Sequence, residues 1–413
     1  MDDARALEDR GAVLTLGGDV NALALMRSLG RRGISVRAAG APRPILSSRY
    51  CSQGYPIPAA TAEEAYAELL LSDRHPEIDG SVLLVCGDDA IGFVARNHGE
   101  LERRYTLERH EPELQLCLLD KQRTLELARE VGVPCPGFWA VHRREDVDVV
   151  LQHATYPIML KPRHTHRFRT LRGAKYLLAH GSNELREKAV DLIDSGIAFM
   201  ACEMIPGPDD LSRSYYTYRG EDGGELLHLT KRGVRRNPIN EGMGTYQVTM
   251  DLPEVEALGR RFFDAIGYRG IGNLEFKLDP RDGVLKLMEC NNRFTAVTEQ
   301  LVQSGADVGL MTYRDLTGQP VAPVRGCRPR VAIWSPVGDV LAFRQVRART
   351  GASWADWKRS LSHDKLVFPC FSWSDPRPFL ESATGDALRA IRRALTGSWR
   401  SNGSRGERKV RPA

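Results

Sequence analysis

Residues 271–293 read Ile-Gly-Asn-Leu-Glu-Phe-Lys-Leu-Asp-Pro-Arg-Asp-Gly-Val-Leu-Lys-Leu-Met-Glu-Cys-Asn-Asn-Arg. Alternating apolar and polar residues flank Asp279-Pro280-Arg281-Asp282-Gly283, a turn of four or five residues that ends in glycine, which predicts two antiparallel strands joined as a hairpin. A period of two puts Glu289, Asn291 and Arg293 on one face, and pairing across the hairpin brings Glu275 opposite them. Two carboxylates on adjacent strands repel unless something positive sits between them. With an amide oxygen beside them they suit Mg²⁺ far better than zinc. Arg293 can then hold oxygens of a transferring phosphoryl group. On spacing alone, a solvated hairpin face with charges at its rim stays open as the alternative.

The segments before the hairpin alternate strand and helix. Residues 12–16 are a short apolar strand, Gly17-Gly18-Asp19 a turn, Ala22 to Leu29 an apolar helical pattern, and Gly33 to Arg37 the next strand. This is a βαβ opening. The two glycines serve either the tight turn itself or a ligand crevice. Residues 59–70 suit a helix, and Ser81 to Cys86 a buried strand ending at Gly87-Asp88-Asp89, where the two acids either meet a ligand or cap a helix. Further on, a helix at Lys121–Glu130 is stopped by Gly132-Val133-Pro134-Cys135-Pro136-Gly137. A strand ends at Lys161-Pro162, a helix covers 183–194, and a strand at Ala198–Glu203 runs into the turn Pro206-Gly207-Pro208.

Glu275 within Leu-Glu-Phe, followed by Met288-Glu289-Cys290-Asn291-Asn292-Arg293, resembles the metal-binding hairpin of the ATP-grasp superfamily, especially its carboxylate–amine ligases and the related carbamoyl-phosphate synthetases and D-aspartate ligases. Other landmarks fall in the family's order. Asp120-Lys121 and the Gly132–Pro136 turn resemble the opening of its ATP-binding region, and Leu160-Lys161-Pro162 its phosphate-contacting lysine strand. Cys202-Glu203-Met204-Ile205-Pro206-Gly207 resembles the hinge bordering adenine. The resemblance implies ATP and Mg²⁺ (with Mn²⁺ as an alternative), metal ligands Glu275, Glu289 and Asn291, and nucleotide contacts from Lys121, Lys161, Glu203 and Ile205, with Asp209 or Asp210 at the ribose. It implies an α/β and α+β fold: an N-terminal Rossmann-like domain at 1–110 and an ATP-grasp domain at 111–320, with lobes 111–200 and 201–320. A small α/β extension at 321–398 and a basic tail at 399–413 complete the expected division.

One departure stands out. Where the family often has a glycine-rich loop over the triphosphate, residues 163–173 carry four arginines, two histidines and one glycine. Arginine side chains then replace backbone N–H groups, or the segment is an exposed basic loop. Residues 230–247 are also basic, and Lys231, Arg235 and Arg236 either bind a substrate carboxylate or its acyl phosphate or belong to a solvated loop. In the C-terminal part Arg330–Trp334 is strand-like, residues 385–395 suit a short helix, and Trp354 and Trp357 read as core rather than as a base-stacking platform. Phe371–Phe379 resembles the closing segment of D-aspartate-ligase-like members.

Composition sets outer bounds. The 413 residues, 42% hydrophobic and 27% charged, are long enough for two or three domains with full cores. Of the formal net charge of +5, Arg400 to Ala413 supplies +4, so the body is near neutral and a nucleic-acid role is disfavoured. The eight cysteines lie at least 18 residues apart, which leaves no zinc or iron–sulfur spacing and predicts buried thiols in a reducing compartment. With no signal-peptide pattern and no membrane-spanning run, the chain reads as cytoplasmic. The resemblance implies that the chain activates a small carboxylate with ATP, with Lys161, Lys231, Arg235 and Arg293 at the chemistry. An amine, an amino acid foremost, then attacks to form an amide, within a homodimer if the superfamily's habit holds. The alternatives are a carbamoyl-phosphate-synthetase-like ligase of another small acid, a phosphotransferase, and a nucleotide-binding protein without turnover.

Overall fold

Val13–Leu16 and Val82–Val85 are buried at every position, the pattern of strands covered on both faces. In the computed structural model, which describes residues 11–163 and 175–384, they are neighbours in a four-stranded parallel sheet. Its strands are β1 (Val13–Leu16), β2 (Val36–Ala39), β3 (Gln53–Tyr55) and β4 (Val82–Val85), in the order β3-β2-β1-β4. The turn from β1 into the helix Val20–Gly30 passes through Gly17 and Gly18 at φ of 70° and 86°. A Cβ on Gly18 would lie 2.5 Å from that of Cys86, so packing as well as backbone demands glycine there. Gly33, expected in the second strand, has a φ of 81° and donates its N–H to the Gly30 carbonyl. It ends the helix, and β2 starts three residues later.

A second sheet is antiparallel: β5 (Phe138–Val141), β6 (Ile158–Pro162), β7 (Leu177–Ala179) and β8 (Phe199–Glu203), ordered β5-β8-β6-β7. The helices Arg144–His153 and Ser182–Asp194 bury Val147, Val150, Leu185 and Leu192 in its core.

The large sheet contains β9 (Ser212–Arg219), β10 (Glu225–Asn237), β11 (Met243–Thr249), β12 (Gly270–Leu278), β13 (Leu285–Asn291), β14 (Val324–Arg325), β15 (Val331–Trp334) and β16 (Lys365–Val367). Its order is β13-β12-β9-β10-β11-β15-β16, with β14 beside β10. Residues 230–247 are therefore mostly strand, and the β10–β11 register shifts on either side of Arg235. The helix Pro253–Ala265 buries Phe262 and Phe263 in the core that also holds Leu274 and Leu287 of the hairpin. The extra C-terminal strands continue this sheet, and Trp334, Phe343, Trp354 and Trp357 pack together beside it.

One hydrophobic core joins the N-terminal helix Val20–Gly30 to Tyr216, Tyr218 and Leu229 of the large sheet. Asn21 fastens the junction, donating from Nδ2 to the carbonyls of Cys86 (2.8 Å) and Phe294 (2.9 Å). Position 88, just after β4, is thereby brought to the end of the hairpin. Among the described residues no helix is long and apolar enough to cross a membrane, and all eight cysteines are free. The expected helix at 385–395, the tail at 399–413 and all but Arg163 of the 163–173 segment lie outside the described residues.

Candidate active site

The hairpin β12–β13 pairs Glu275 with Glu289 and Asn273 with Asn291, with one register shift between Glu275 and Phe276. Both carboxylates stand half-exposed, and each has a cation drawn from elsewhere. Lys121 Nζ, at the first position of the helix Lys121–Glu130, is 2.8 Å from Glu289 Oε1. Arg236 Nη2, on β10, is 3.0 Å from Glu275 Oε2. Asp120 caps the helix, accepting from Gln122 N at 3.0 Å, and so fixes where Lys121 starts. Burial opposes ionisation of Glu289, but Lys121, Lys161 and Arg293 outweigh it and hold the carboxyl well below its usual range. Conversely, Glu289 holds Lys121 above its usual value and Glu275 does so for Arg236.

Glu289 and Arg236, the partner of Glu275, line a cleft of about 350 Å³ between the second sheet and the large one, a size suited to a small ligand. Lys161 and Met159 of β6 line one wall, Met204 and Ile205 the hinge, and Glu289, Asn291 and Lys277 the opposite wall. Asn291 turns its Nδ2 to Asn273 Oδ1 at 3.1 Å, which leaves its amide oxygen as a donor for a cation. Among the described residues no three His, Cys, Asp or Glu side chains gather in a way that could hold a metal ion. Two carboxylates and one amide oxygen instead fit a hard divalent ion that completes its shell with water and phosphate oxygens. Arg293 Nε is 2.5 Å from Asp88 Oδ1, joining the hairpin's end to the first turn of the helix Asp88–Arg96.

Four expected contacts are placed differently. Arg235 points away from the cleft: it binds buried Asp339 through Nε (2.6 Å) and Nη2 (2.9 Å). The register shift at this position turns Arg236, not Arg235, onto the face of Glu275. Asp209 accepts from the backbone N–H groups of Arg236 (3.1 Å) and Asn240 (2.9 Å), and Asp210 pairs with Arg232 at 2.8 Å. Neither side chain lines the cleft. Glu203 turns its carboxylate to Gly137 N at 3.2 Å, so the hinge offers the cleft Met204 and Ile205 instead. Lys231 is buried on the Glu275 face of the sheet, bonded to Gln247 Oε1 and 5.6 Å from the centre of the Tyr216 ring.

No protein-family model matches the chain. Over 302 residues it is 25% identical to the D-aspartate ligase of Enterococcus faecium (strain Aus0004), an alignment covering 68% of this chain and 70% of that protein. Biotin carboxylase from Campylobacter jejuni superposes with a TM-score of 0.61 at 16% identity, over 78% of this chain and 74% of that one. The N5-carboxyaminoimidazole synthetase of Staphylococcus aureus, complexed with ADP, gives 0.59 at 16% identity, over 77% and 80%. The architecture is an ATP-grasp fold. The expected fold class is thus observed: a parallel N-terminal sheet precedes a larger mixed sheet.

Within this ATP-grasp architecture, sequence reasoning overlooked Lys277. Its Nζ donates to the hinge carbonyls of Ile205 (3.0 Å) and Gly207 (2.9 Å) and so ties the hinge to the hairpin. The signal was present, since Lys277 follows Glu275 by two residues on one strand face. Also overlooked was the other side of the cleft, where Lys175 Nζ donates to the Glu241 carbonyl at 3.0 Å and Tyr176 neighbours the same turn.

Proposed function

We propose that the protein is an ATP-dependent carboxylate–amine ligase, joining a small acid to an amine through an acyl phosphate and releasing ADP and phosphate. The observation that carries this reading is the in-register Glu275–Glu289 pair, with Asn291 beside it and Lys121, Lys161, Arg236 and Arg293 converging on it. The likeness to a D-aspartate ligase supports the same class.

Glu275, Glu289 and Asn291 would hold Mg²⁺. When bound, that ion neutralises phosphate charge and holds the β- and γ-phosphates for transfer. Lys121 and Lys161 fix the phosphate chain, while Met204 and Ile205 border the base. Arg293 and Arg236 meet the charge that develops on the transferring phosphoryl group. The acid's carboxylate oxygen attacks the γ-phosphorus and ADP leaves. The amine nitrogen then attacks the acyl carbon, loses its proton, and phosphate departs with one oxygen of the acid. Most of the acceleration comes from positioning and charge neutralisation, since no covalent bond to the enzyme is needed.

Lys231 extends the reading to the acid. Burial pushes its ammonium down to about 8 against the pull of the Glu275 carboxylate, and its direct contacts are Gln247 and the Tyr216 ring. A buried cation whose nearby carboxylate is already paired with Arg236 is costly, and a substrate carboxylate placed against it lowers that cost. The test is ADP and phosphate release from MgATP in the presence of acids and amino acids, singly and in pairs, with mass detection. A product equal to acid plus amine less water is expected. ADP formation with acid alone, giving a stable phosphorylated acid, would instead identify a phosphotransferase.

A further inference from the structure

Both carboxylates that the hairpin offers a metal are held by a cation from another element. Glu289 accepts from Lys121, 168 residues earlier, and Glu275 from Arg236, 39 residues earlier. Tertiary folding, not local sequence, makes these pairs. Each cation has an anchored backbone and a head that can move. Lys121 opens a helix whose cap, Asp120, is itself held by Arg163 Nε at 2.9 Å. Arg236 donates its backbone N–H to Asp209 Oδ2 at 3.1 Å. The two side chains are nevertheless 33% and 30% exposed, so either head can leave its carboxylate for another anion within reach.

The surroundings are cationic. Among the described residues that line the cleft, five are Lys or Arg and three are acids, Asp88, Glu241 and Glu289, so the lining carries +2. To take a divalent ion without nucleotide, the hairpin must therefore give up two ion pairs inside a field that repels the ion, and it leaves Lys121 and Arg236 unpaired beside it. A polyphosphate reverses both effects. Its oxygens give Lys121, Lys161 and Arg236 new partners through charge-assisted hydrogen bonds. Glu275 and Glu289 are then released for the ion, and the phosphates add the hard oxygen ligands it still needs. Asn291 takes no part in the exchange, because Asn273 already holds its Nδ2 at 3.1 Å.

We propose that Lys121 and Arg236 are clamps that keep the hairpin from binding a divalent ion by itself, so that the ion is held only together with a nucleotide polyphosphate. The inference rests on the ligase reading and adds to it how the site regulates its own filling. Nucleotide without metal finds cations ready for it, whereas metal without nucleotide finds its carboxylates taken. Because linkage is mutual, nucleotide raises the affinity for metal by the same factor as metal raises the affinity for nucleotide.

The test is Mn²⁺ binding by the full chain, read from loss of the free-ion electron paramagnetic resonance signal, with and without the non-hydrolysable ATP analogue adenylyl imidodiphosphate. The analogue should raise the affinity of the parent for Mn²⁺ about 100-fold. Lys121→Met and Arg236→Met should each gain a function: without analogue they should bind Mn²⁺ about tenfold more tightly than the parent, and the analogue should help them less. Adding Glu289→Gln to Lys121→Met should remove the gain, which places the bound ion at the hairpin. Mn²⁺ held by the parent as tightly without analogue as with it overturns the proposal. So does the absence of any gain in both variants. An analogue that binds the parent under no condition overturns the ligase reading instead. The clamps are read in the variants without nucleotide, so the two failures are told apart.

Discussion

Arg235 and Arg236 are neighbours in β10, yet they serve opposite faces of the sheet. Arg235 closes a dry network with Asp339, which also accepts from Trp357 Nε1 (2.8 Å) and Thr245 Oγ1 (3.1 Å). Arg235 and Asp339 side chains are 6% and 0% exposed, against 30% and 27% for Arg236 and Glu275. The first pair is buried and bonded within the protein, so it holds the C-terminal helices to the sheet. The second borders a cleft and can exchange its partner for a ligand. Identical chemistry therefore reads as scaffold or as site according to what it faces, not according to residue type.

The sharpest way to strain this contrast is at the cleft carboxylates. Glu289→Ala should abolish Mg²⁺-dependent ATP turnover while circular dichroism and melting stay close to those of the parent. Full activity in a folded variant would remove the metal assignment. The two arginines come next. Arg235→Ala strands a buried carboxylate and should cost about 3 kcal/mol or more of stability in denaturant titration. Arg236→Ala should cost less than about 1 kcal/mol, because its pair is partly solvated, yet lower kcat severely. Equal stability losses would erase the distinction.

Lys231 offers a test of sign. With its ammonium near 8, the charge is present below that pH and absent above it. The KM for an anionic acid should therefore rise as pH passes upward through 8, and Lys231→Met should show a raised, pH-independent KM. The smallest effect belongs to Lys277, which touches the hinge through two carbonyls. Lys277→Met should raise the KM for ATP about tenfold, the scale of a charged hydrogen bond, with kcat little changed.

Much of this was legible before any coordinates. The hairpin declared itself through its period of two, and that same period placed Glu275 opposite Glu289. Lys277 was legible by the same rule but carried no catalytic stereotype to draw the eye. The fates of Arg235 and Asp209 were not legible. A register shift within β10 decides which arginine faces the cleft, and the partner that captures Arg235 lies 104 residues away. Asp209 was expected at the ribose because it follows the hinge, but the N–H groups of Arg236 in β10 and of Asn240 in the turn after it take its oxygens first. Local pattern reports strands and faces. Long-range pairing decides which polar groups remain available.

The central claim is that the acid is activated as an acyl phosphate in the cleft. Once an acid is found, it can be supplied with ¹⁸O in its carboxylate, together with MgATP and the amine, and the released phosphate examined by mass spectrometry. The account predicts one ¹⁸O atom carried into each phosphate as the amide forms. Amide formation with unlabelled phosphate would contradict it, because the acid oxygen would never have bonded to phosphorus.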